Sequence, residues 1–261
     1  MGGNIKSLLF VPAKEKMLAK IPSLSADAFI IDLEDSIKEE EKAEALELLC
    51  LFLSEHPECS NVYVRLNKNN FEEEAIALNG FDVGFMLPKF EIPEEYARID
   101  GIWSKHKLIA LVETPMGVIN IRQITQCSWV DAIAFGAEDY TASVNMLNDD
   151  IMLLPIKSTL IAHAKAYNKK VYDTPSFKLN NEAEFEQEVK NAMNLGFDGK
   201  LAISPKHIQY INETFNSNDL NYIKSVIERY QADGNAVVVI DGKVYEKMHI
   251  NRLKKIIKEN S

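Results

Sequence analysis

The stretch KLIALVETPMGVINIRQITQCSWVDAIAFGAEDY, residues 107–140, contains one full repeat of the pattern that decides the fold. An apolar run at 107–112 is followed by the carboxylate of Glu113 and then by a segment with helical periodicity. A second apolar run at 132–135 leads after three residues to Asp139. Runs that are apolar on both faces are typical of parallel strands covered by helices. The stretch therefore predicts a strand–helix–strand unit.

The same alternation of apolar runs and helical segments recurs along the chain, and we count eight runs. Eight such units in 261 residues predict a TIM (β/α)8 barrel. A doubly wound open sheet is the alternative, although no GxGxxG follows a strand and no GxxxxGK[ST] is present. The predicted strands are 7–11, 28–32, 61–65, 84–87, 107–112, 132–135, 170–172 and 200–203, and the predicted helices are 38–53, 70–78, 93–105, 117–125, 148–167, 181–195 and 205–215.

The pattern changes after the eighth unit, so we expect a barrel domain at 1–215 and a short C-terminal appendage at 216–261. Asp241-Gly242 lies between two apolar runs and predicts a β-hairpin. The appendage is expected to be a lid or an oligomer arm. Its predicted parts are a turn at 216–220, a helix at 221–231, hairpin strands at 236–240 and 243–245, and a basic helix at 252–258.

The composition is that of an ordinary globular protein, with 46% hydrophobic residues and a formal net charge of -10. Such an acidic chain argues against nucleic acid and anionic membranes as partners. No apolar run has the length of a membrane-spanning helix, and the N-terminus lacks a signal-peptide pattern. The three cysteines show no CxxC spacing. We therefore expect a cytoplasmic protein.

Two carboxylates, Glu113 and Asp139, follow the ends of neighbouring predicted strands. Parallel neighbours lie about 4.8 Å apart, so the two side chains can converge on one ion. Two unpaired carboxylates would repel each other, and Mg²⁺ suits one or two carboxylates together with waters and substrate oxygens. The spacing predicts a metal site, but salt bridges, or Asp139 as a helix cap, are equally compatible with it.

Arg65 ends the third predicted strand, and its guanidinium fits a carboxylate with two parallel hydrogen bonds. That carboxylate is either a substrate's or that of a nearby acid. Among the nearby acids, Glu34 and Asp35 are candidates for holding a water in the site or for solvent-facing charges. Ser36 and Glu39 form an S-x-x-E pattern that predicts a capping box. Ser204 before Pro205 predicts the N-cap of the last barrel helix.

Other polar or small residues at the predicted strand ends are candidate substrate contacts, because helix N-termini at a barrel mouth offer N–H groups to anions. Lys89 could form a Schiff base, but an anion-binding or ion-paired role is favoured. None of the five histidines follows a strand, which argues against zinc. The candidate substrate-binding residues are Arg65, Asn67, Lys89, Gly136, Ala137 and Glu138.

Taken in order, these strand-end motifs resemble the citrate lyase β-subunit-like proteins of the HpcH/HpaI aldolase family. The resemblance spans about residues 6–215. It rests on SLLFVP (7–12), IIDLEDSI (30–37), VRLN (64–67), LPK (87–89), ALVETPMGV (110–118), AFGAEDY (134–140) and GFDGKLAISP (196–205).

The resemblance implies a carbon–carbon lyase with a TIM barrel, in which Glu113 and Asp139 hold Mg²⁺. Arg65 would bind the carboxylate of a 2-oxo acid such as oxaloacetate, and Glu34 and Asp35 would support the site. It also implies a CoA thioester partner and a homo-oligomer, a trimer or hexamer.

The sequence departs from the family pattern outside the expected metal site, at Lys6, Ala13, Leu46 and Ser204. These departures keep two alternatives open. One is a CoA-independent aldolase of a specialised pathway. The other is a subunit that binds a 2-oxo acid or serves assembly without catalysis.

Overall fold

The computed structural model describes residues 5–178, 181–216 and 220–259. Eight parallel strands close into a barrel in which each strand pairs with the next and the eighth pairs with the first. This confirms the predicted TIM barrel and excludes the open sheet. The barrel strands are β1 (Ser7–Pro12), β2 (Ala28–Asp32), β3 (Val62–Arg65), β4 (Gly84–Leu87), β5 (Leu108–Val112), β6 (Ala132–Phe135), β7 (Lys170–Asp173) and β8 (Gly199–Ala202).

Helices surround the barrel, and several predicted helices are divided or begin later than expected. The predicted helix at 38–53 starts with a 3₁₀ turn, and the one at 117–125 is divided at Asn120. The α-helices of the barrel are α1 (Glu15–Leu18), α2 (Lys42–Glu55), α3 (Phe71–Leu78), α4 (Asp100–Trp103), α5 (Pro115–Ile119), α6 (Ile121–Gln126), α7 (Ala137–Ser143), α8 (Asp150–Ala166), α9 (Glu182–Leu195) and α10 (Ile208–Asn216), and 3₁₀ helices lie at Ile21–Ser23, Glu39–Glu41, Pro93–Ile99 and Pro205–His207.

The strands are apolar on both faces because each face packs into a different part of the core. In β1, Leu8 belongs to the cluster that fills the barrel, while Leu9 belongs to the cluster between the strands and the helices. The same alternation places Ile30 inside and Ile31 outside. Successive side chains of a strand point to opposite faces, so a strand covered on both sides needs an unbroken apolar run.

Two predicted helix caps have different outcomes. The capping box at Ser36 is wrong, because the Ser36 hydroxyl donates to the Asp32 carbonyl at 3.4 Å and its N–H donates to Asp32 Oδ2 at 3.1 Å. Ser36 thus closes the loop after β2 instead of starting a helix. The cap at Ser204 is confirmed, since its side chain accepts a hydrogen bond from the Lys206 N–H at 3.4 Å.

The C-terminal segment has a small apolar cluster of its own, which includes Val226 and Ile240. The predicted hairpin is confirmed: Asp241 and Gly242 have φ of 50° and 77°, the positive values that its two-residue turn requires. Of the predicted turn at 216–220, residues 217–219 lie outside the described part. The elements are α11 (Leu220–Asp233), β9 (Val237–Ile240), β10 (Lys243–Glu246) and α12 (Lys247–Glu259).

Within the described residues, no helix is long and apolar enough to span a bilayer. Cys50, Cys59 and Cys127 are all unpaired thiols.

Candidate active site

A cavity of about 380 Å³ lies at the carboxyl ends of the barrel strands. The predicted Glu34, Asn67 and Lys89 do not line it; they line a neighbouring cavity of about 270 Å³. The predicted site residues that do line the larger cavity are Asp35, Arg65, Glu113, Gly136, Ala137, Glu138 and Asp139.

Glu113 follows β5 and is almost fully buried, with 2% of its surface exposed. Its Oε1 atom accepts a hydrogen bond from the Lys89 N–H at 2.8 Å. Burial and the nearby charge of Asp139 raise the pKa of Glu113 to about 8. Burial is the larger cause, and the smaller one is the repulsion between two carboxylates that the sequence predicted.

Asp139 is held close to Glu113 by the chain path after β6, the strand that pairs with β5. It lies in the first turn of α7, which begins at Ala137, and it is exposed to solvent. Gly136, not Asp139, occupies the cap position of this helix. The alternative of Asp139 as a helix cap is therefore wrong, and Asp139 lines the same cavity as Glu113.

Arg65 lines the cavity, and its guanidinium is hydrogen-bonded to protein carboxylates. Its Nε and Nη2 atoms donate to the two oxygens of Asp32 at 2.6 and 2.7 Å, and Nη1 donates to Asp35 at 2.9 Å. The bidentate pair of hydrogen bonds predicted for Arg65 is thus made with the carboxylate of Asp32. Burial alone would raise the pKa of Asp32, but its hydrogen bonds and ion pair with Arg65 outweigh burial and lower that pKa.

Glu34 lies behind Arg65, on the side of the smaller cavity. Its Oε2 atom is 3.2 Å from Arg65 Nη1, and its Oε1 atom is 3.4 Å from Lys89 Nζ. Burial raises the pKa of Glu34, and the charges of Asp35 and Asp32 add to this, against the opposing effect of Arg65 and Lys89. Glu34 therefore reaches the larger cavity only through Arg65.

Asn67 and Lys89 have contacts that the sequence did not indicate. The Asn67 side chain donates to the Glu74 carboxylate, whose other oxygen accepts from the Asn67 N–H at 2.8 Å. Lys89 has a positive φ of 47°, and its backbone, rather than its ammonium group, contacts Glu113. Asn67 and Lys89 were predicted to contact the substrate, but the structure does not place either of them in the larger cavity.

Two polar residues of this cavity had no role in the sequence analysis. Asp32 holds Arg65, and Thr174 accepts a hydrogen bond from the Ala137 N–H at 3.2 Å. Their strand-end positions were visible in the sequence, but their partners come from other strands. No local pattern could therefore have identified them.

Glu113 and Asp139 fit Mg²⁺. Their side chains offer carboxylate oxygens, and a divalent cation would neutralise the repulsion by Asp139 that adds to burial in raising the pKa of Glu113. In the described ranges, no group of three or more His, Cys, Asp or Glu is arranged to hold a metal ion. Two carboxylates with open positions suit Mg²⁺, which keeps waters and binds substrate oxygens.

Comparison with known proteins identifies the family of this chain. The model of the HpcH/HpaI aldolase/citrate lyase family matches residues 6–205. Citrate lyase subunit beta of Escherichia coli (strain K12) is 29% identical, over 97% of this chain and 92% of that protein. The mitochondrial citramalyl-CoA lyase of Rattus norvegicus is 28% identical, over 80% of this chain and 71% of that protein.

A solved structure shares the fold. The CitE protein of Mycobacterium tuberculosis, in complex with magnesium and pyruvate, superposes with a TM-score of 0.73 and 25% identity, over 83% of this chain and 92% of that chain. The predicted family is confirmed, and the enzyme class that the family's name describes is the predicted carbon–carbon lyase. The chain belongs to the HpcH/HpaI aldolase/citrate lyase family.

Proposed function

We propose that this protein is a Mg²⁺-dependent carbon–carbon lyase that releases a 2-oxo acid from a CoA-linked substrate. The observation that carries the proposal is the pair Glu113 and Asp139 in one cavity with Arg65. The citramalyl-CoA lyase relative supports a CoA-linked substrate, and the magnesium and pyruvate bound by the CitE neighbour support the metal and the 2-oxo acid.

The charge of the cavity is the reason that a metal is needed. Arg65 is the only cation among the described residues that line it. An anionic substrate would be repelled by such a surface, so a divalent cation has to bind before or with it. The carboxylates in the lining are Asp32, Asp35, Glu113, Glu138 and Asp139.

The chain's own residues bind and orient the substrate. Glu113 and Asp139 would hold Mg²⁺, and the bound ion would supply Lewis-acid polarisation of the 2-oxo carbonyl. Arg65 would offer its remaining N–H donors to the substrate carboxylate, because three of the five in a guanidinium are used by Asp32 and Asp35. Asp32 thereby fixes the orientation of Arg65 before substrate arrives.

The supporting acids have distinct places. Asp35 is exposed at the mouth and contacts Arg65, so it is the better placed of the two to accept a proton or hold a water beside the substrate. Glu34 acts through Arg65 and Lys89. The N-terminal turn of α7, with Gly136, Ala137 and Glu138, forms the opposite wall.

An assay of citryl-, malyl- and citramalyl-CoA cleavage, coupled to detection of the released 2-oxo acid, tests the proposal. We expect cleavage with Mg²⁺, none with a chelator, and its loss in Asp139→Asn. Cleavage that persists with the chelator would contradict the proposal. Cleavage of a free hydroxy-oxo acid without CoA binding in calorimetry would indicate a CoA-independent aldolase. Pyruvate binding without cleavage or solvent deuterium exchange would indicate a non-catalytic subunit.

We also propose a cytoplasmic homo-oligomer, a trimer or hexamer, in which the appendage at 216–261 is the lid or arm. Exposed apolar side chains support association: Leu147 and Ile151 beside the mouth are 84% and 77% exposed, and Val239 on the hairpin is 65% exposed. The three unpaired cysteines suit a reducing compartment. Sedimentation of the full chain measures the subunit number.

A further inference from the structure

Thr174 lies at the edge of the cavity, directly after β7. Tyr172 belongs to the cluster inside the barrel, and side chains two residues apart on a strand share a face, so Thr174 points to the barrel axis. It lines the cavity and is 7% exposed. Its hydroxyl contacts the first turn of α7.

The hydroxyl of Thr174 accepts a hydrogen bond but donates none to the described residues. Thr174 Oγ1 accepts from the Ala137 N–H at 3.2 Å, which occupies one lone pair of the oxygen. A hydroxyl also carries one proton to donate. In the part of the chain that the structure describes, this proton has no acceptor. Because the Ala137 N–H approaches from one side, the proton must point away from it.

The backbone of Thr174 is fixed from behind the barrel wall. Lys200 Nζ donates to the Thr174 carbonyl at 2.7 Å and to Asp173 Oδ2 at 2.6 Å. Lys157 Nζ lies 3.2 Å from the other oxygen of Asp173. The charged side chains of this group are all at most 4% exposed. Such a buried network allows little movement of the residue it holds.

Hydrogen-bond donors are scarce in this cavity. Its carboxylates can only accept when ionised, and the Ser36 hydroxyl donates to the Asp32 carbonyl. A 2-oxo acid presents only oxygen acceptors, so it requires donors from the protein. Apart from Arg65, the hydroxyl of Thr174 is the side-chain donor that the described lining still offers.

We propose that Thr174 is a substrate-binding residue whose hydroxyl donates a hydrogen bond to an oxygen of the bound 2-oxo acid. The inference rests on the proposed function. The Ala137 N–H and the Lys200 contact orient this donor before the ligand binds, which lowers the entropy cost of binding.

Calorimetry of the full-length protein tests this, with Mg²⁺ alone and then with pyruvate or oxaloacetate in saturating Mg²⁺. Thr174→Val keeps the shape of the side chain and removes the hydroxyl donor, whereas Thr174→Ser keeps the hydroxyl. We expect Thr174→Val to bind the 2-oxo acid about tenfold more weakly, with Mg²⁺ affinity unchanged, and Thr174→Ser to bind it as the wild type does. The matched control is Thr141→Val on α7, whose hydroxyl donates to the Ala137 carbonyl and which does not line the cavity; it should bind normally.

The remaining outcomes separate the two proposals. Unchanged 2-oxo acid affinity in Thr174→Val overturns the inference and leaves the proposed function intact. A parallel loss of Mg²⁺ and 2-oxo acid affinity in that variant means that Thr174 only positions α7 and Asp139, which also overturns it. Wild-type protein that binds no 2-oxo acid with Mg²⁺ contradicts the proposed function, and the inference falls with it.

Discussion

A Cβ atom added to Gly136 would lie 2.6 Å from the Oε2 atom of Glu113. The absence of a side chain at Gly136 therefore provides the space in which the Glu113 carboxylate sits. The Glu113 Cβ atom is equally close, at 2.6 Å, so rotation of the carboxylate alone cannot relieve the contact. The loop after β6 thus sets the position of a carboxylate on the loop after β5.

We expect Gly136→Ala to lower Mg²⁺ affinity at least about tenfold, since a displaced ligand loses its geometry. Isothermal titration with Mg²⁺ measures this. The matched control is Gly101→Ala, because no atom lies within 4 Å of the Cβ it would gain. Normal Mg²⁺ affinity in Gly136→Ala would show that Glu113 is not held by this space.

Glu113→Gln and Asp139→Asn should each abolish measurable Mg²⁺ binding, because an uncharged amide replaces one of the two carboxylates proposed to hold the ion. The control is Glu138→Gln, whose side chain accepts from Asn148 at 2.6 Å and which should retain the metal. Unchanged Mg²⁺ affinity in Glu113→Gln would refute the metal assignment.

Mg²⁺ binding should tighten as pH rises and level off above pH 8. The pKa of Glu113 is about 8 in the folded metal-free protein, so below that pH the metal must displace a proton. Titrations across this range in buffers of different ionisation enthalpy also count the released proton. A pH-independent affinity would mean that Glu113 carries no proton for the metal to displace.

The same shift makes a prediction about stability. The pKa of Glu113 rises from 4.5 to about 8 on folding, so the folded state binds this proton more tightly than the unfolded state does. The contribution of this proton to the free energy of unfolding is fully present below pH 4.5 and is lost as pH rises through about 8. Urea denaturation without metal should show this decline, and Glu113→Gln should remove its part of it.

Arg65→Met should destabilise the protein by about 3 kcal/mol or more, because it leaves the buried carboxylates of Asp32 and Glu34 without their main counter-ion. Urea denaturation measures the loss. As a control, Arg98→Met breaks only the exposed pair with Glu72 and should change stability by less than about 1 kcal/mol. Equal effects of the two substitutions would mean that the Arg65 cluster contributes no more than a surface pair.

Prediction from the sequence was most accurate for features that depend only on neighbouring residues in the chain. The eight strands follow from apolar runs, and the cap at Ser204 and the turn at Asp241-Gly242 follow from local backbone chemistry. The proximity of Glu113 and Asp139 was also predictable, because strand order in a barrel brings them together.

The sequence predicted less well where a side chain chooses among several partners. Ser36 has a cap pattern, yet Asp32 offers it a carbonyl and a carboxylate oxygen four residues earlier. Asn67 follows the strand that carries Arg65, but Glu74 captures its side chain. Hydrogen bonds form with whichever group the fold brings within reach, and spacing does not encode that choice.

By itself, the sequence determined the barrel, the family and the acids at its mouth, because hydrophobic periodicity and strand order fix which residues follow which strands. Only the tertiary structure decided which cavity each residue faces, the engagement of Arg65 by Asp32, and the space that Gly136 leaves for Glu113. The physical reason is that these are contacts between loops of different strands. Burial, charge and close approach act across space there, independently of separation along the chain.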